Sequence, residues 1–301
     1  MKNNGNIIAY TFAITCVVLW GFSFVWANFL IGSGVGILAY MAERMLVAAS
    51  LLWIVGLLTK KIQKVDKTDR KWMFLLGFSE PFVYFIGENY GIKYTHSGVI
   101  AALMIALVPV FCMFAERIFY KVPLSPKRML GVLITLPGIL MVIFQKDGMA
   151  GAQFAGILLL LLAVTASCSY NMFTKKMTEK YSPYTIVTWQ FTYGAMLFVP
   201  LFLICDVKGV TPVFFTLPVQ LTILALAVLC SGVCFGMWAY MTGKLGVTRT
   251  SIFSALIPLA TAIVAYLLYP EQESFSWLKV AGIVVAVFGV ILVQLAPSKS
   301  S

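Results

Sequence analysis

Charge is scarce in this sequence. Of its 301 residues 11% are Asp, Glu, Lys or Arg, against 61% hydrophobic, and the mean hydropathy is +0.94. A soluble domain needs polar cover over its exterior, so this balance excludes one. Histidine is nearly missing. With His96 alone, the multi-histidine boxes of membrane metalloenzymes are excluded, and His96 itself reads as an interfacial hydrogen-bonding residue. The cysteines at 16, 112, 168, 205, 230 and 234 lie in or beside apolar runs and form no CxxC. Neither a disulfide framework nor a metal site is expected, and they read as small buried hydrophobes. No GxxxxGK[ST] loop occurs, which excludes direct ATP drive, and nothing implies a cofactor.

Basic residues outnumber acidic ones 22 to 11, a net charge of +11, but they gather in short loops between apolar runs. Membrane topology accounts for that placement, and no nucleic-acid partner is implied. The bilayer itself is the expected partner, with anionic headgroups near the basic loops. After MKNNGN, the run from Ile7 to Leu30 is long enough, at about 1.5 Å per residue, to cross a hydrocarbon core of about 30 Å. It lacks an A-x-A cleavage signal and reads as a first span.

Ten spans are expected, at 7–30, 36–59, 72–92, 97–119, 127–145, 154–174, 184–205, 219–242, 248–269 and 275–295. An even number puts both termini on one side. With that side cytoplasmic, it carries 17 Lys and Arg against four outside (Lys93, Lys146, Lys208 and Lys279), with Arg44 inside a span. The positive-inside rule therefore predicts an inner-membrane protein with both termini cytoplasmic.

The two halves echo each other. Pro109 in ALMIALVPVFCMF corresponds to Pro258 in SIFSALIPLATAI, and Gly131 and Gly138 correspond to Gly282 and Gly289. Five spans per half is an odd number, so the second half enters the membrane from the opposite side. The fold class expected is an all-α membrane protein, ten transmembrane helices as two inverted five-helix repeats, over 1–148 and 149–301.

One stretch concentrates the chemistry. SEPFVYFIGENYGIKYTHSGVIAALMIALVP, from Ser79 to Pro109, is apolar yet carries Glu80, Glu88 and Lys93. A charged residue costs roughly 2.5–3.5 kcal/mol at the centre of an inserted helix, and persists where it faces a bundle interior, a partner charge or a wet path. Glu80, Tyr84 and Glu88 stack at four-residue spacing on one helix face. Either the glutamates face a solute pathway, binding an ammonium group or exchanging a proton, or they form structural pairs with Arg44 or Lys93. For Arg44, beside Glu43, a structural ion pair is expected ahead of substrate binding. Pro109 and Pro258 remove helix donors and suit helices that break beside a cavity, or else shape packing. Gln190 and Asn89 are mid-span amides suited to joining helices or touching solute.

WGFSF at 20–24, AERMLVAASLL at 42–52, the YT-S run into Pro109, TWQFTYGAML at 188–197 and IPLATAIVAYLLYPEQES at 257–274 carry a resemblance. Together they resemble the drug/metabolite transporter superfamily, and its ten-span EamA-type members most. One feature departs: Glu271 follows the proline helix of the second half, but Val122 stands at the corresponding place in the first. The resemblance implies that spans 1, 3, 4, 6, 8 and 9 line a cavity. Trp20, Phe24, Tyr84, Tyr170, Asn171 and Trp238 would then be lining residues, with ordinary packing the competing reading. It also implies a secondary transporter working by alternating access. An exporter of small metabolites such as amino acids leads, drawing on a proton gradient, the solute gradient or exchange. A lipid-linked sugar or headgroup translocator is the rival. A membrane transferase has little behind it, since its one candidate, KVDKTDRK at 64–71, reads as a solvated basic loop.

Overall fold

The computed structural model describes residues 2–120, 126–143, 151–269 and 276–295. Ten helical segments run through them in chain order. They are α1 (Lys2–Gly32), α2 (Ile37–Leu58), α3 (70–95), α4 (98–120), α5 (Pro126–Ile143), α6 (Gly151–Met177), α7 (Pro183–Cys205), α8 (217–245), α9 (247–268) and α10 (Trp277–Leu295). Helices are what such apolar runs must form, because in hydrocarbon each backbone donor and acceptor has to be satisfied within its own segment. Among the described residues seven stretches are long and apolar enough to cross a membrane, and Met129–Met141 and Val280–Gly289 are shorter apolar helices. The chain is a multi-pass membrane protein. Glu271, Val122 and Lys146 lie outside the described residues.

Four of the segments are not continuous α-helix. α3 passes from Arg70–Gly77 through a π-helical turn, Phe78–Val83, into Tyr84–Thr95. α8 does the same, with its π turn at Leu226–Val233. α4 breaks between Gly98–Ile105 and Val108–Tyr120, and α9 passes through a 3-10 turn, Ile252–Leu256, before Ile257–Leu268. Pro109 and Pro258 each stand second in the piece after the break. That is where a missing N–H costs nothing, since the first donors of a helix have no partner in it anyway. In both halves, then, the third helix carries a π turn and the fourth breaks before a proline.

Packing pairs the elements across the halves: α2 with α7, α1 with α8 and α9, and α5 with α10. Across the halves too, α3 packs on α6. The α2 and α7 contact is closed at both ends by a swap of loops. At one end Asp206, just after α7, accepts from Leu38 N (2.9 Å) and Ala39 N (3.3 Å) at the start of α2, and Gly36 N donates to Gly209 O (3.0 Å). At the other, Gln63, after α2, accepts from Ser182 N and donates to Thr185 Oγ1 (2.9 Å) at the start of α7. Each helix is capped by the loop that follows its partner. The carboxylate of Asp206 also meets the positive end of the α2 dipole. We call the end with loops 59–69 and 178–182 the basic end.

At that basic end a small polar cluster ties the two halves together. Lys180 Nζ stands 3.0 Å from Asp69 Oδ2, which also accepts from Tyr181 Oη at 2.8 Å. Lys180 and Tyr181, in that order, hold the Asp69 carboxyl below the usual carboxylate range, and Asp69 in turn holds Lys180 above its ordinary value. Next to it Lys176 Nζ sits 3.4 Å over the Trp72 ring.

Candidate functional site

A cavity of about 40 Å³ lies at the centre of the bundle. Glu80 enters it because its own helix breaks there. Its φ of −143° and ψ of 114° are extended, as expected for a residue before proline, and a cis peptide joins it to Pro81. The carbonyl freed by this break accepts from Gln190 Nε2 of α7 at 3.0 Å. Glu80 is 5% exposed, and its Oε2 has no hydrogen-bond partner among the described residues. Glu88, two turns on, is equally buried. Its Oε1 accepts from Tyr84 Oη (3.2 Å) and its Oε2 from Asn89 Nδ2 (3.4 Å).

Among the described residues Arg44 brings the only guanidinium in the wall. It is 3% exposed, donates from Nε to Ser231 Oγ of α8 (2.9 Å), and lies with Cζ 4.2 Å over the Phe85 ring. The ion pair expected for Arg44 is not formed in this structure: among the described residues no carboxylate oxygen comes within 4.0 Å of its nitrogens. Helical divergence explains why its neighbour does not pair with it. Glu43 turns away to accept from Gln220 Nε2 at 3.3 Å and is only partly buried, so it joins α2 to α8 rather than facing the chamber. Glu88 likewise makes no pair with Lys93, which lies over the Tyr90 ring.

Aromatic rings complete the walls. Trp20 of α1 packs on Trp238 (4.9 Å between centroids) and Phe235 (5.4 Å) of α8, and Tyr170 of α6 on Phe235 (5.7 Å). Two of these indoles are fixed by hydrogen bonds, Trp20 Nε1 to Cys230 O (3.2 Å) and Trp238 Nε1 to Asn171 Oδ1 (3.0 Å). Trp20, Phe24, Glu80, Tyr84, Glu88, Tyr170, Asn171 and Trp238, singled out from the sequence, all reach this one chamber. Sequence reasoning missed Ser23, Ser167, Phe235 and Ser254 as lining residues, and it placed an ion pair ahead of a substrate contact for Arg44, which also lines the chamber. Small serines in apolar helices carry no signal of which way they point. Pro109 and Pro258 stay outside the wall, but their neighbours Val108 and Ile257 are in it. Asn89 joins helices, accepting from Tyr40 Oη of α2 and donating to Phe85 O (2.7 Å).

The arrangement places two carboxylates and one guanidinium in an aromatic cage, assembled from both halves of the chain. The EamA-like transporter family profile matches residues 7–144 and again 154–295. The chain belongs to the EamA-like transporter family. It is 28% identical over 280 residues to an uncharacterized transporter, YdfC, of Bacillus subtilis (strain 168), covering 91% of this chain and 89% of that protein. It is 25% identical over 264 residues to a protein of Streptantibioticus cattleyicolor described as a "probable terminal-alkyne amino-acid exporter", covering 87% and 85%. Its fold is similar to a solved crystal structure at a TM-score of 0.71 and 15% identity, over 95% of this chain and 96% of that one. The twofold match of the EamA-like profile falls on the two halves whose helix breaks correspond.

Proposed function

We propose that this EamA-like protein is a secondary transporter that exports small zwitterionic metabolites, amino acids and their relatives, by alternating access. The observation that carries this reading is the central chamber, where Arg44 faces Glu80 and Glu88 across an aromatic cage. An α-carboxylate matches the planar donors of a guanidinium. An α-ammonium matches the unpartnered oxygen of Glu80, and the rings of Trp20 and Trp238 favour a cation over their faces. The name of the Streptantibioticus relative points to the same class.

Ten transmembrane helices in two inverted repeats, 1–148 and 149–301, are the architecture that suits this mechanism. Its support is the correspondence of π turns in α3 and α8 and of breaks in α4 and α9. A volume of about 40 Å³ has room for a few waters at most, so a solute enters only when the walls part. The interruptions at 106–107 and 252–256 border the chamber and are the places where α4 and α9 bend most cheaply. With the basic end cytoplasmic, export runs from that end to the other in the cell inner membrane. A proton gradient acting through Glu80 or Glu88, or exchange, supplies the drive.

In proteoliposomes, Glu80→Gln is expected to lose amino-acid flux while the purified variant elutes and melts as the parent does. Undiminished, pH-dependent flux would remove Glu80 from the pathway. The excretion profile of cells overexpressing the chain identifies the solute.

A further inference from the structure

A second, larger cavity opens on the side of the bundle and shares no lining residue with the chamber. Its volume is about 670 Å³ and its walls are almost wholly apolar. It exists because α2 and α8 touch at one level and part below it. Gln220 to Glu43 and Arg44 to Ser231 join the two helices, and among the described residues no other hydrogen bond does. From Ala48 and Ala227 onward the space between them widens toward the basic end. Gly232 and Gly236, one turn apart on α8, leave this face bare. A Cβ at Gly236 would meet nothing within 4 Å, and one at Gly232 only Ala227 O at 3.7 Å.

The corresponding contact between the halves, α3 with α7, is shut. Phe78 and Phe82 pack tilted at 5.7 Å, and Phe82 with Phe198 and Phe74 with Tyr193 pack edge to face at 5.1 Å and 5.5 Å. One lateral seam is thus filled with rings and the other is left open. In hydrocarbon an apolar cleft does not hold water, and packing forces do not leave it empty. What lies beside it is lipid: Leu51, Val55 and Val233 on its rim are 38%, 46% and 45% exposed. Its polar mouth is positive. Lys61, exposed and with no carboxylate within 4.0 Å among the described residues, stands there with Ser182, the N-cap of α7, and Pro183, its first residue, at the positive end of that helix.

We infer that this cleft is a binding site for an anionic glycerophospholipid of the leaflet at the basic end. One acyl chain lies along Gly232 and Gly236, and the phosphate sits at Lys61 and the start of α7. The lipid fills the gap where α2 and α8 diverge. Ser231, which holds Arg44, precedes Gly232 on the same helical turn, so the seat adjoins the solute chamber without sharing a wall residue with it.

The test is lipid retention by the purified full chain, read by native mass spectrometry with phosphatidylglycerol or phosphatidylcholine, in the absence of any solute. The parent is expected to keep one phospholipid through delipidation and to favour phosphatidylglycerol about fivefold, the equivalent of about 1 kcal/mol for one lysine near an anionic surface. Gly236→Leu, which fills space open in the structure, is expected to lose both lipids. Lys61→Glu, a change on an exposed loop, is expected to erase the preference and leave phosphatidylcholine bound. Retention unchanged in Gly236→Leu, or a preference that survives Lys61→Glu, would overturn the assignment. Thermal melting of each variant without added lipid separates loss of the site from loss of the fold, and Lys61→Glu remains decisive if Gly236→Leu does not fold.

Discussion

At the scale of single residues, two carboxyls of this protein meet opposite fates. Glu80 stands in the bundle centre with an unpartnered oxygen, whereas Asp69, at the basic end, is held by Lys180 and Tyr181. A carboxyl below its usual range stabilises the fold above the unfolded value, about 3.9, and that stability disappears as pH falls through the folded value. Lys180, raised, keeps its contribution up to its unfolded value of about 10.4 and loses it only above that. The cluster is therefore whole from roughly pH 4 to 10. Thermal melting from pH 7 down to 3 is expected to show a steeper decline for the parent than for Asp69→Asn, which no longer titrates there. Parallel curves would show that the cluster adds nothing to stability. The acidic and basic residues of loop 59–71 are visible in the sequence as a solvated run. That one of them pairs across 111 positions is not, because such a contact depends on where two distant helix ends arrive.

At the scale of elements, spans and proline breaks follow from composition. Apolar runs delimit helices, and Pro109 and Pro258 fall where α4 and α9 resume after an interruption. The π turn of α3 has a local signal in Pro81, but that of α8 contains no proline and was not foreseen. The α5 and α10 pair rests on glycine. A Cβ at Gly289 would stand 2.5 Å from Thr135 N and 2.7 Å from Gly131 O, so the backbones meet where only hydrogen fits. Gly289→Val forces them apart and is expected to cost about 1–3 kcal/mol by overpacking, seen as a lower melting temperature. An unchanged melting temperature would mean that the two helices separate freely. The seven-residue spacing of Gly131 with Gly138 and of Gly282 with Gly289 announces this contact in sequence, though not which helix each pair faces.

At the scale of the whole molecule, the swapped caps of α2 and α7, the paired helix breaks and the shared chamber support the proposal above that the two halves enter the membrane from opposite sides. Cysteines introduced at Lys67 and Lys208 are expected to be labelled from opposite faces of sealed vesicles, Lys67 from the cytoplasmic one. Labelling from one face would break the ten-span arrangement. Hydropathy, loop charge and the recurrence of proline and glycine determined by themselves that the chain is helical, lives in the membrane and is built twice over. They also pointed to Glu80, Tyr84 and Glu88, because an acid in an apolar helix needs a reason to be there. Only the tertiary structure decided that Arg44 turns inward to Ser231 while Glu43 turns outward to Gln220, and that one lateral seam is closed by rings while its counterpart stays open. Helices that are apolar on every side have no polar stripe to mark which face is buried, so the direction of each side chain is set by the neighbours it meets rather than by its own segment.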